Sequence, residues 1–180
     1  MRIYSPDQGV LNALRGTNIE LLVDVANYDI QAIATDASAA RNWVQNNVRN
    51  YWPGVKFRYI AVGNEVSLAS NVAQYVGPAI ENIQNALGSA GLRNQIKVST
   101  SISAGLLGIS FPPSKGAFSD QARPFIKPII DLLVQSNAPL FVNVYPYFSY
   151  IGDTAHIRPD YALFTSSGVV VQDGPFRCQI

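Results

Sequence analysis

The sequence predicts an α/β chain built on a parallel sheet, either doubly wound or closed into a barrel. Three observations carry this. Short apolar runs alternate with segments whose apolar residues recur at helical spacing. The runs at residues 19–25 and 60–62 are apolar almost without interruption, as in strands covered on both faces. Beyond the first pair, strands recur about every 40 residues, which leaves room for a right-handed crossover through a helix.

Residues 2–4 form a short first strand, and Ser5-Pro6-Asp7 starts a helix with Val10, Leu11 and Leu14 on one face and Gly16 at its end. Residues 19–25 (IELLVDV) form the next strand, interrupted by Asp24. A helical turn at 29–34 follows. Thr35 or Asp36 then caps a helix carrying Ala40, Trp43, Val44, Val48 and Tyr51, which Pro53-Gly54 ends. Residues 57–66 (FRYIAVGNEV) contain the central strand. The next helix shows Val72, Tyr75, Val76, Ala79, Ile80, Ile83 and Leu87 on one face and stops at Gly91; Pro78 predicts a bend or a late start. A strand at 96–102, a loop at 103–118 and a helix capped by Ser119 or Asp120 come next. In that helix Phe125, Ile129, Leu132 and Leu133 are expected to face inward. Residues 141–145 form another strand, ending in the aromatics Tyr145, Tyr147, Phe148 and Tyr150. Residues 161–164 and 169–172 are expected to pair as a hairpin across Thr165-Ser166-Ser167-Gly168.

The bulk properties narrow the function. The chain has 180 residues, 48% hydrophobic and 14% charged, with a formal net charge of +1, and a single domain over 1–180 is the expectation. That charge gives no reason to expect nucleic acid or a membrane as partner. His156 is the only histidine, which excludes a metal site needing two; Cys178 is the only cysteine, so no intrachain disulfide forms. No cofactor is implied: phosphate-cradling GxGxxG and GxxxxGK[ST] turns and the GxSxG nucleophile elbow do not occur. No apolar run reaches membrane-spanning length, and residues 1–8 (MRIYSPDQ) do not read as a signal peptide.

Against that background the end of the central strand stands out. An ionised carboxylate is costly beside a buried strand unless it is paired or placed at an opening. In αβ barrels catalytic groups sit at the C-terminal ends of strands, and Gly63 lets the backbone turn there. Glu65 is therefore the candidate general acid; a rim carboxylate in a salt bridge is the competing reading. Polar or acidic groups beside aromatics recur at strand ends, at Tyr4, Asp24, Asn64 with Glu65, and 145–148. Aromatic faces stack on sugar rings while carboxylates and amides bind hydroxyls, so the combination favours a carbohydrate, although each aromatic alone also reads as packing. Asp24 is the only other carboxylate within an expected strand interior, so it reads either as a second catalytic carboxylate or as a structural hydrogen-bonding group.

RYIAVGNEV, preceded by MRIYSPDQ and WVQNNV and followed by IKVSTSI, SFPPSKGAF and PLFVNVYPYF, closely resembles the plant endo-1,3-β-glucanases of glycoside hydrolase family 17. The resemblance runs from residue 1 to about residue 174. It implies an incomplete (β/α)8 TIM barrel holding strands two to six of eight, with β-1,3-glucan as substrate. It also implies that Glu65 is the acid/base catalyst, that Asn64 binds the 2-hydroxyl of the sugar being cleaved, that Tyr4 lines the cleavage site, and that Tyr145, Tyr147 and Phe148 form an aromatic wall. An extracellular or vacuolar location follows from the same likeness.

The family's nucleophilic Glu, within Ser-Glu-Ser-Gly-Trp-Pro, is not found in these 180 residues, and residues 175–180 depart from the pattern as a divergent tail. A retaining glycosidase needs two carboxyl groups roughly 5–5.5 Å apart. The expectation is thus a partial catalytic domain whose 180-residue form is catalytically defective; a glucan-binding or antigenic fragment is the alternative. An open barrel also exposes strand edges, through which self-association is expected.

Overall fold

The computed structural model describes residues 1–178 and divides into two compact units, one of residues 1–103 and 120–142, the other of 104–119 and 143–180. The first unit carries the sheet. Its strands are β1 (Arg2–Ile3), β2 (Glu20–Val25), β3 (Lys56–Asn64), β4 (Lys97–Ser103) and a further strand, Phe141–Asn143, in that spatial order. β1 to β4 pair parallel in sequence order, the arrangement of part of a (β/α)8 barrel.

One face of this sheet is apolar and covered by helices. Val23, Val25, Ile60 and Val62 are fully buried. Helix α1 (Gln8–Leu14) starts at Asp7, whose carboxylate accepts from Val10 N–H at 2.8 Å, and it buries Leu11 and Leu14. Next come α2 (Ile30–Thr35) and α3 (Ala37–Val44); Asp36 caps α3, and a π-helical stretch prolongs it over Gln45–Arg49. All five residues expected inward from this segment are buried. Helix α4 (Val76–Ser89) begins late, so that Pro78 falls in the first turn, where its missing N–H has no helical partner to lose. It ends in a Schellman turn: Gly91 has φ 72°, Gly91 N–H donates to Gly88 O at 3.0 Å, and Leu92 N–H donates to Leu87 O at 2.8 Å. Asn82 on α4 donates to the carbonyls of Ile33 and Ala34, at 2.9 and 3.0 Å, tying α4 to the end of α2.

Helix α5 (Arg123–Ser136) departs from expectation in two ways. Neither Ser119 nor Asp120 caps it; the cap position is Ala122, and Pro124 takes its tolerated place in the first turn. Its buried face is Ile126, Ile129 and Leu133, while Phe125 and Leu132 stay half-buried.

The second unit is built from short pieces. Residues 103–118, expected as loop, contain the antiparallel ribbon β5 (Leu107–Ile109) and β6 (Ala117–Phe118). The last strand of the first unit's sheet, expected over 141–145 and here β7 (Phe141–Asn143), stops early, because Pro146 sits at the first position of the second unit's α6 (Pro146–Gly152). The expected hairpin of 161–164 with 169–172 does not form. Pro159 starts a one-turn helix, α7 (Pro159–Ala162), and the hairpin is instead β8 (Val171–Asp173) with β9 (Phe176–Cys178). Its loop is Gly174-Pro175, where Gly174 takes the left-handed φ of 57° that a tight turn requires. Buried Asp173 anchors it, accepting from the backbone N–H of Ser114 and from Ser114 Oγ at 2.8 Å. Part of the expected tail is thus a paired strand; residues 179–180 lie outside the described residues.

Candidate active site

The sheet's other face is polar near the C-terminal ends of its strands. Asp24 is fully buried on β2, and on the same face of the sheet Ser99 and Ser101 of β4 are buried too. A lone carboxylate there is unfavourable, and Arg2 on β1 answers it: Nε donates to Oδ1 at 3.2 Å and Nη2 to Oδ2 at 2.7 Å. Burial nevertheless holds the Asp24 carboxyl above its ordinary range, with the hydrogen bond and charge of Arg2 pulling it back only in part. Arg2 Nη2 also donates to Ser101 Oγ and to Asn64 Oδ1, both at 2.9 Å. Its guanidinium lies 4.6 Å from the centre of the Tyr4 ring.

Asn64 reaches this cluster because β3 carries one extra residue. Asp24 pairs in register with Ala61, and Ala61 with Ser99, but the next β3–β4 pair is Asn64 with Ser101. Three residues on β3 therefore oppose two on β4. Side chains alternate faces along a strand, so without the bulge Asn64 would point away from Ala61 and Asp24; the bulge turns it toward them. Gly63 makes the bulge possible. Its φ is 77°, and an added Cβ would lie 2.8 Å from both Ile30 Cδ1 and Val66 Cγ2. Guanidinium has only donors, so the amide end facing Arg2 must be oxygen, which fixes how Asn64 is turned.

Glu65 follows directly, half-buried at the end of β3, with φ 48° and its N–H donating to Ser101 O at 2.8 Å. A non-glycine residue in this conformation is uncommon and persists when its surroundings hold it there. Tyr4, 62% exposed, joins Asn64 through Arg2.

Tyr145, Tyr147 and Phe148 belong to the second unit and form a cluster of their own. Tyr145 is the residue before α6 and the other two lie in its first turn. Phe148 packs at 5.7 Å from Tyr145 and 5.8 Å from Tyr147 between ring centres, all three at least half exposed. Such a surface offers flat apolar faces to a ligand with like faces.

Sequence reasoning missed Arg2, Ser101 and Asn27, whose amide bonds the Asn64 backbone. A buried aspartate in an apolar strand requires a cationic partner, and that was the available signal for Arg2. Among the described residues no group of three His, Cys, Asp or Glu side chains is disposed to hold a metal ion, and no helix is long and apolar enough to cross a membrane.

The comparisons with known proteins bear on what this arrangement does. The family model described as glycosyl hydrolases family 17 matches residues 1–177. A glucan endo-1,3-beta-glucosidase of Vitis vinifera is 60% identical over 99% of this chain and 53% of its own length. A basic vacuolar isoform of Nicotiana plumbaginifolia is 50% identical over 97% of this chain and 48% of its own. Among solved structures, one of two plant beta-glucan endohydrolases with distinct substrate specificities superposes with a TM-score of 0.89 at 41% identity, covering 99% of this chain and 57% of that one. The chain spans about half the length of the curated relatives it matches.

Proposed function

This chain belongs to glycosyl hydrolases family 17, and from that premise we propose that it carries the acid/base half of a site that hydrolyses β-1,3-glucan internally with retention of configuration. In this reading Glu65 protonates the departing glycosidic oxygen and then, as carboxylate, takes a proton from the attacking water. Asn64 donates from its amide to the 2-hydroxyl of the sugar being cleaved, a contact that strengthens as charge develops on the ring. Tyr4 lines the cleavage position, and Tyr145, Tyr147 and Phe148 offer their ring faces for stacking on glucose.

The supporting observation is the bulge that turns Asn64 into the Arg2–Asp24–Ser101 cluster and leaves Glu65 next to it, half-buried at a strand's C-terminal end. The relatives named as glucan endo-1,3-beta-glucosidases give the substrate class, and the vacuolar isoform among them favours a vacuolar location, with secretion the other option.

The double displacement also needs a second carboxylate to attack the anomeric carbon. The reading assigns that role to no residue of this chain, so the 180-residue form is expected to bind glucan without turning it over. Association through the outer strands of the sheet, β1 and β7, is part of the same reading.

Incubating the purified chain with insoluble β-1,3-glucan and with laminarin tests this. Retention on the solid, with no reducing ends released above the level of Glu65→Gln, is expected. Turnover that Glu65→Gln abolishes would keep the substrate and overturn the defect; failure to be retained would overturn the substrate itself.

A further inference from the structure

We propose that Asn27 is a positioning residue that holds the 63–65 turn in the shape in which Asn64 and Glu65 meet the sugar, an inference that rests on the glucan reading above. The regular pairing of β2 with β3 ends at Val25 and Val62. Two residues past Val25, the Asn27 side chain takes over the work of the missing strand. Its Oδ1 accepts the backbone N–H of Asn64 at 2.8 Å, and its Nδ2 donates to the backbone carbonyl of Asn64 at 3.0 Å. A primary amide carries a donor and an acceptor side by side, so one side chain satisfies both main-chain groups of a single residue.

The turn needs such a restraint. Gly63 and Glu65 both have positive φ, on either side of Asn64, and Glu65 lacks glycine's freedom to adopt it. Ser101 O holds one edge of the turn through the N–H of Glu65, and Arg2 holds the Asn64 side chain. Asn27 holds the opposite edge from an exposed position in the 3-10 turn after β2, Asn27–Asp29. A Cβ on Gly63 would come within 3.2 Å of Asn27 Oδ1, so the turn and the clamp fit each other closely. Asn27 acts through the backbone of Asn64, and the proposal gives it no part in the chemistry.

Two substitutions separate its bonds. Alanine removes both. Aspartate keeps the acceptor for the Asn64 N–H but sets a carboxylate against the Asn64 carbonyl in place of a donor.

The test uses the full chain labelled with 15N, alongside Asn27→Ala and Asn27→Asp, with two readouts: backbone amide exchange, and titration with a β-1,3-linked glucose hexamer. Loss of one hydrogen bond predicts about tenfold faster exchange of the Asn64 amide in Asn27→Ala, near-native exchange in Asn27→Asp, and unchanged rates at Ile60, Ala61 and Val62 in both. The side-chain amide of Asn64 should shift with hexamer in the unsubstituted chain, and Asn27→Ala should need about five- to tenfold more hexamer for the same shift. Native exchange at Asn64 in Asn27→Ala overturns the clamp. Faster exchange with unchanged hexamer affinity overturns its part in presenting Asn64. If the unsubstituted chain does not respond to hexamer, the glucan reading and the sugar-facing part of this proposal fall together, while the exchange rates still decide whether Asn27 holds the turn.

Discussion

The two groups of candidate site residues are built in opposite ways. Asn64 is held on its backbone by Asn27 and on its side chain by Arg2, which is itself fixed by buried Asp24 and by Ser101. Tyr145, Tyr147 and Phe148 lie at the start of a seven-residue helix, packed on one another and at least half exposed. A reacting bond tolerates little displacement of the acid beside it, whereas a flat ring stacks on a sugar over a range of offsets. Substitutions in the first group should therefore propagate into folding, and those in the second should stay local.

The most damaging expected change is Asp24→Ala. It leaves the Arg2 guanidinium without its buried partner and should cost about 3–5 kcal/mol in urea unfolding; a loss below about 1 kcal/mol would mean that the ion pair does not organise this end of the sheet. Gly63→Ala should follow at about 2–4 kcal/mol, from a positive φ together with a methyl forced against Ile30 and Val66.

A smaller effect depends on pH. Because burial raises the Asp24 carboxyl above its unfolded value of about 3.9, the folded chain binds that proton more tightly. The resulting stabilisation is fully present below the unfolded value and is lost as pH rises through the higher folded one. The unsubstituted chain should thus lose stability relative to Asp24→Asn as pH rises above the unfolded value of about 3.9. The opposite slope would show that Arg2 outweighs desolvation. Smallest in stability is replacement of Tyr145 and Phe148 by Ala, expected within about 0.5 kcal/mol of the unsubstituted chain while abolishing retention on insoluble β-1,3-glucan. Unfolding as severe as that of Asp24→Ala would erase the contrast between the two groups.

How much of this was legible in the sequence differs between the groups for a physical reason. The strands and helices of the first unit follow from apolar periodicity, and Glu65 stood out as an acid ending a buried run. The bulge did not, since it is a register relation between β3 and β4 that only pairing reveals. Asn27 was invisible because its partner is main chain, which every residue possesses. In the second unit apolar patterning is weak. Pro146 ends the expected strand early and opens a short helix, Pro159 turns the start of an expected hairpin strand into another, and a Gly174-Pro175 turn moves the hairpin toward the C-terminus.

The account stands most directly on where a bound glucan lies. A crystal of Glu65→Gln soaked with a β-1,3-linked glucose hexamer should hold a ring whose 2-hydroxyl is within hydrogen-bond reach of Asn64 Nδ2, with the adjoining glycosidic oxygen beside residue 65. A hexamer bound only on other surfaces, with Asn64 still turned into the Arg2 cluster and no sugar near it, would contradict it.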